Sequence, residues 1–553
     1  MIQENFIKIF ENSFKENWNM PALSDYGDNT HLTYGDLAKE IAHIHILFDE
    51  CKVRRGDKIA LIGKNTTQWC ITYLASVTYG AIIVPILQDF NPNDVHHIIN
   101  HSQATFLFTS DNVWETLEED RIDEIRAVIS LNDMRCLHQK DGESINRILK
   151  DTDNIFTKKY PGGFTKNDVQ YAELSNDKVV SLNYTSGTTG FSKAVMTTGN
   201  NLAGNITFVA RSNILHKGEK LLSFLPLAHA YGCAFEFLYA LSIGAHTTLL
   251  GKTPAPKILL KAFEEIKPNI IITVPLIIEK VYKKMILPQL NKRSMKWALS
   301  MPFLDTQIYA QIRKKLVDAF GGRFSQVIIG GAPLNKEVED FLLKIKFPFT
   351  VGYGMTECAP LIAYAHTNDF VPTSCGKVLD IMEVRIDSKD PYHVVGEIQV
   401  HGENVMAGYY KNEEADSAVF TEDGWLKTGD LGTIDKNNNI FIRGRSKTMI
   451  LDAGGQNIYP EEIEAKLNNL PFVMESLILK KNGKLIALVY PDYEAVDATG
   501  LENKAIPLIM EENRKILNQF VAPYESISSI QLYPTEFEKT PKKSIKRYLY
   551  SGI

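Results

Sequence analysis

Up to Cys375 the apolar residues alternate between two patterns: short unbroken runs, and longer stretches in which they recur three or four positions apart. The second pattern predicts a helix opening at Thr33-Tyr34-Gly35-Asp36, where an acid three places after a threonine can close a capping box, and another helix over 67–79. The first predicts buried strands over 58–62, after the turn Arg55-Gly56-Asp57, and over 82–86, 105–108, 179–184, 270–274 and 326–329. Strands that are apolar on both faces belong in a sheet covered by helices on both sides, so the pattern implies an α/β core.

After Gly376 the period shortens to two. Strands are expected over 382–386 and 397–401, then over 432–434 and 440–443 with the polar run Lys436-Asn437-Asn438-Asn439 between them, which makes a β-rich subdomain. Beyond Arg445 the chain restarts with a helix opened by Pro460, a hairpin at Asn482-Gly483, a helix over 501–520 and a last strand over 527–533. The fold class is therefore α/β: a large N-terminal domain of α/β subdomains plus a β-rich subdomain, residues 1–445, and a small α+β C-terminal domain, residues 446–553.

Composition narrows the setting. A chain of 553 residues with 44% apolar side chains has ample material for more than one core. Its six cysteines form no Cys-x-x-Cys pair, which argues against a zinc site or a disulfide framework and fits a reducing cytoplasm. Met1 to Phe10 lacks the basic and apolar segments of a secretory signal. The low-charge stretch 221–250 is interrupted by His229, Glu236, His246 and glycines, so a buried helix is expected there rather than a membrane span. Net charge is −6 with Lys and Arg dispersed, which excludes the electrostatic footprint of a nucleic-acid binder. The basic tail Lys539, Lys542, Lys543, Lys546 and Arg547 reads as a solvated face.

Chemistry concentrates first in Tyr184-Thr185-Ser186-Gly187-Thr188-Thr189-Gly190-Phe191-Ser192-Lys193, directly after the strand expected over 179–184. Glycines let backbone N–H groups turn toward an anion, the hydroxyls add donors, and the lysine adds a mobile positive charge, so the string suits phosphate. A Walker A loop needs Gly before its Lys and Ser or Thr after it. Here Ser192 precedes Lys193 and Ala194 follows, so a kinase or ATPase reading loses its main support. On this string alone, a Ser/Thr-rich surface turn stays open.

The string resembles the signature loop of the adenylate-forming superfamily of acyl-CoA synthetases, luciferases and peptide-synthetase adenylation domains, with Ser192 and Ala194 standing at its usual Pro and Gly. Further strings follow in that superfamily's order: Leu225-Pro226-Leu227-Ala228-His229, Gly330-Gly331-Ala332-Pro333-Leu334, Gly352-Tyr353-Gly354-Met355-Thr356-Glu357, Gly424-Trp425-Leu426-Lys427-Thr428-Gly429-Asp430 and Gly444-Arg445. The resemblance implies phosphate binding by Thr185, Ser186, Gly187, Thr188, Thr189, Gly190 and Lys193, and a carboxylate pocket at His229. It implies an adenine site at Gly331, Ala332, Pro333, Tyr353, Gly354 and Met355, a phosphate contact at Thr356, a Mg²⁺ ligand at Glu357, and ribose contacts at Asp430 and Arg445. Each role suits its residue, since a phenol offers a π face and magnesium prefers carboxylate oxygen.

The implied activity is ATP-dependent conversion of a carboxylic acid into an acyl-adenylate, followed by acyl transfer to coenzyme A. The superfamily's C-terminal domain is mobile and turns about the position of Lys447, and Ala453-Gly454-Gly455-Gln456-Asn457-Ile458-Tyr459-Pro460, with Gly455, resembles its pantetheine channel. One departure stands out: Thr540-Pro541-Lys542-Lys543-Ser544 puts Ser544 where the superfamily carries a catalytic lysine, and Lys543 is the nearest substitute. The string from Gln456 to Glu462 is most similar to that of bacterial long-chain fatty acid ligases. Two alternatives stay open, an acyl carrier protein in place of coenzyme A as acceptor and a weakly active nucleotide-binding scaffold.

Overall fold

A computed structural model describes residues 2–122, 124–185, 193–301, 304–451, 456–540 and 545–550. The largest sheet runs in the order Cys136–Gln139, Ala127–Ser130, Ala104–Thr109, Lys58–Ile62, Ile82–Ile86, Val179–Thr185 and Lys193–Thr198. Its inner strands are parallel, and each edge strand is antiparallel to its neighbour. Both faces are covered, as the unbroken apolar runs require. Ile59 and Leu61 pack with Leu37, Ile41 and Leu74 on one side, while Ala60 and Ile62 pack with Val95 and Ile99 on the other. The helix Tyr34–Glu50 begins with the expected capping box of Thr33 and Asp36, and Thr67–Tyr79 ends at Gly80 in the left-handed conformation, φ 94°.

Two further sheets carry on the same architecture. One has the order Lys220–Ser223, His246–Leu249, Pro21–Asp25, His31–Thr33; the other is parallel and holds Ile271–Thr273, Val327–Ile329 and Phe349–Val351. The stretch expected as one buried helix over 221–250 instead folds as strand, helical segment and strand, because Pro226 interrupts it early and Gly244, at φ 81°, turns the chain into His246–Leu249. The middle of its helical segment, Cys233–Leu238, is π-helical. There the fully buried Glu236 carboxylate accepts from Ser223 Oγ at 2.9 Å and Leu225 N at 3.0 Å, and burial pushes its carboxyl well above the usual range.

The β-rich part is an antiparallel sheet of Met382–Asp387, Gly396–Gly402, Leu426–Ile434 and Ile440–Arg445. Its third strand starts earlier than the apolar pattern indicated, so Asp430 sits within a strand. In the C-terminal part, Val473–Lys481 and Lys484–Pro491 turn through Asn482 and Gly483, both at positive φ, as a two-residue hairpin demands. The helix expected over 501–520 runs over Ile506–Phe520, and a separate helix that the pattern did not mark, Tyr493–Thr499, precedes it and ends at Gly500, φ 71°. Ile463, Leu467, Val489, Leu517 and Ile527 give this part a core of its own. Among the described residues of the basic tail, two do not form the solvated face expected: Arg547 pairs with Glu464 and Lys539 with Glu475, which draws both side chains against the protein. Among the described residues no helix is long and apolar enough to cross a membrane.

Candidate active site

Ser186, Gly187, Thr188, Thr189, Gly190, Gly455 and Lys543 lie outside the described residues. The flanks of the first string are described: Thr185 closes one strand, Lys193 opens the next, and the two face each other across an antiparallel pair. Segment 407–410 then adds to the outer side of that edge, with Met196 N donating to Gly408 O at 2.9 Å and Tyr410 N to Ala194 O at 2.8 Å. This backbone pairing sets the Tyr409 ring beneath Lys193 Nζ, 4.8 Å from the ring centroid. Tyr409 Oη in turn donates to Glu357 Oε1 at 2.9 Å. Burial, with the neighbouring Glu357 carboxylate, pushes the Tyr409 phenol well up, so it stays a donor. Sequence reading missed Tyr409, because nothing in its own string marks it and a long loop brings it in.

Glu357 itself lies on the short turn Thr356–Cys358, between Tyr353–Gly354 and Leu361–Tyr364. Gly354 is needed there, since a Cβ at this position would stand 2.2 Å from the Pro360 carbonyl oxygen. The Tyr353 ring is buried, and its hydroxyl donates to Asp430 Oδ2 at 2.8 Å. Arg445 Nε lies 3.1 Å from the other oxygen, Asp430 Oδ1, because Asp430 and Arg445 are direct partners in the antiparallel ladder. Burial pushes the Asp430 carboxyl up, while the Arg445 guanidinium and the Tyr353 hydroxyl pull it down. The Arg445 side chain is 71% exposed, which leaves donors free to face a ligand.

Gly331, Ala332 and Pro333 follow the strand Val327–Ile329 as an exposed loop, with Gly331 at φ +83°. Gly330 before them lies under Tyr231, whose ring atoms would stand 3.0 Å from an added Cβ. Tyr231 Oη reaches Ile328 O at 3.3 Å, a second residue the sequence reading did not single out. His229 caps the short helix Ala230–Gly232, its Nδ1 accepting from Tyr231 N at 3.3 Å.

Thr185, Lys193, His229, Gly331, Ala332, Pro333, Tyr353, Gly354, Met355, Thr356, Glu357, Asp430, Arg445 and Lys447 all line one cavity of about 3580 Å³. Its far wall is C-terminal: Glu461, Glu464, Lys539 and Arg547 belong to it. The two walls touch directly, with Asn335 Nδ2 donating to Asn469 Oδ1 at 2.7 Å and Lys283 Nζ to Asn468 O at 2.8 Å. Such a space is larger than one small molecule needs and can hold two substrates at once. A carboxylate clamp, an aromatic ring, a lysine and a lone acidic side chain along one wall can bind a nucleoside phosphate from sugar to phosphates. Among the described residues no cluster of three His, Cys, Asp or Glu could hold a metal by itself.

Comparisons with known proteins agree with that chemistry. The AMP-binding enzyme family matches residues 10–410. A long-chain-fatty-acid–CoA ligase of Mycobacterium bovis is 27% identical, with 94% of this chain and 90% of the relative covered. Long-chain-fatty-acid–CoA ligase 1 of Saccharomyces cerevisiae is 24% identical, over 87% of this chain and 75% of the relative. Among solved structures, an anthranilate CoA ligase in complex with anthranoyl-AMP superposes with a TM-score of 0.78 at 18% identity, covering 99% of this chain and 97% of that one. A benzoate CoA ligase from Burkholderia xenovorans gives 0.75 at 18% identity, covering 99% and 100%.

Proposed function

Because this chain belongs to the AMP-binding enzyme family, we propose that it activates a carboxylic acid, a fatty acid by the kinship of its relatives, as an acyl-adenylate and transfers the acyl group to coenzyme A. The observation that carries this reading is the single cavity shared by Lys193, Glu357, Asp430 and Arg445. Asp430 and Arg445 hold the ribose, Tyr353 and the loop Gly331 to Pro333 hold the adenine, and Lys193 with the hydroxyl-rich string before it holds the phosphates. A substrate carboxylate oxygen attacks the α-phosphorus, the bond to the bridging oxygen breaks, and pyrophosphate leaves. A thiol then attacks the acyl carbon, and AMP departs as the thioester forms. Neither step needs a covalent enzyme intermediate, so orientation and stabilisation of charge on phosphate oxygens supply the acceleration.

Glu357 fits Mg²⁺, since a single carboxylate beside nucleotide phosphates is a usual way to hold that ion, and Tyr409 orients its oxygens. When bound, the ion neutralises phosphate charge. Lys543 supplies the positive charge for the first half-reaction in place of Ser544, and residues 446–553 form a domain that turns about Lys447 between the two half-reactions. Carboxylate-dependent exchange of labelled pyrophosphate into ATP, measured with acids of increasing chain length, tests the assignment. Exchange peaking at long chains is expected, and no exchange with any acid sinks it.

A further inference from the structure

Between Lys280 and Leu304 the chain carries six basic residues and no acidic one, in a protein whose net charge is −6. This stretch folds as the π-helical turn Tyr282–Ile286 and the short helices Leu287–Leu290 and Arg293–Leu299, and the last of these buries none of its residues. Trp297 is 64% exposed, the one exposed tryptophan of the five. Leu276, Met285 and Leu304 are exposed as well. Lys280, Lys292, Arg293 and Lys296 have no acidic partner among the described residues, whereas Lys283 and Lys284 are turned to the C-terminal part through Asn468 O and Glu494.

Exposed apolar side chains are costly to leave in water, and lysines and arginines without acidic partners attract anionic groups. These two properties together match the boundary of a bilayer, where an indole ring lies at headgroup level and Lys and Arg meet anionic lipid. The same stretch borders the cavity through Lys280, Lys284 and Pro288, with Leu276 just before it, and the cavity wall beyond is apolar at Phe235, Leu259 and Phe263. We propose that the face carrying Lys280, Lys292, Arg293, Lys296 and Trp297 docks the protein on an anionic lipid bilayer. On the fatty-acid reading above, docking there sets the cavity beside the membrane in which such a substrate dissolves.

Flotation of the full chain with phosphatidylcholine vesicles, with and without phosphatidylglycerol, tests the docking without any turnover, so its failure leaves the ligase reading standing. Binding is expected only with phosphatidylglycerol, and raising salt to about 1 M, where screening acts within about 3 Å, should release it. Lys292→Gln, Arg293→Gln and Lys296→Gln combined should weaken partitioning about 100-fold, at roughly fivefold per charge. Trp297→Ser should weaken it roughly tenfold. All of these side chains are exposed, and a thermal midpoint equal to wild type certifies the fold of each variant. Equal flotation with both vesicle types, or wild-type flotation of the triple variant, overturns the proposal. So does a dimer in solution that Trp297→Ser dissolves while vesicles are ignored, which would make this face a contact between two copies.

Discussion

At the scale of the residue, on the reading that Asp430 grips the ribose, its carboxyl is held for that task by a phenol and a guanidinium. Asp430→Asn keeps the shape but not the charge. ATP should bind roughly 10- to 100-fold more weakly by equilibrium titration, the loss of about 1.5–3 kcal/mol for a charged hydrogen-bonding partner. Lys543→Ala should leave ATP binding intact and lower pyrophosphate exchange about 10²- to 10³-fold, the effect of removing one preorganised donor. Glu464 makes a pH prediction. Burial pushes its carboxyl from the ordinary 4.5 up to about 7, although Arg547 beside it pulls the other way. An acid with a raised folded pKa keeps a proton that the unfolded chain has released, so its contribution to stability is present below the unfolded value and is lost as pH rises through about 7. Glu464→Gln abolishes that titration, so the variant's stability should fall less between about pH 5 and 7, by on the order of 3 kcal/mol. Parallel profiles of thermal midpoint against pH would refute it.

At the scale of the element, two tight backbone approaches set the positions of Glu357, Tyr409 and Lys193 along the cavity. The turn bearing Thr356 and Glu357 is held because Gly354 lets the Pro360 carbonyl come close. Gly354→Ala should cost about 1–3 kcal/mol of stability in denaturant titration and should weaken nucleotide binding at least as much as Asp430→Asn does. The second approach is the addition of 407–410 to the edge strand Lys193–Thr198. Strand and helix identities here were legible from period alone: 67–79 and 82–86 fold as expected, and Asn482-Gly483 turns the hairpin its sequence specifies. The stretch 221–250 was not, because low charge reports burial and does not distinguish a helix from a pair of buried strands.

At the scale of the molecule, the two walls of the cavity are joined by contacts of Asn335 and Lys283 with Asn469 and Asn468. On the reading that the C-terminal part turns between half-reactions, those contacts favour one arrangement. Removing both with Asn335→Ala and Lys283→Ala should relieve about 1 kcal/mol each and change the ratio of pyrophosphate exchange to thioester formation roughly tenfold or more. Separate assays of the two half-reactions check this, and an unchanged ratio would mean that the contacts do not bias the arrangement.

The amino-acid sequence by itself determined the α/β class, the order of the elements its pattern marked and the strings of candidate residues, because hydrophobic period and glycine placement are local properties. It also carried Asp430 and Arg445 as a pair of candidates, without their adjacency. Only the tertiary structure decided that the two face each other across a ladder, that Tyr409 stands between Lys193 and Glu357, and that Arg547 and Lys539 are drawn onto carboxylates rather than left in water. Those facts depend on which distant backbones pair and which charges burial brings together, and no local pattern encodes either.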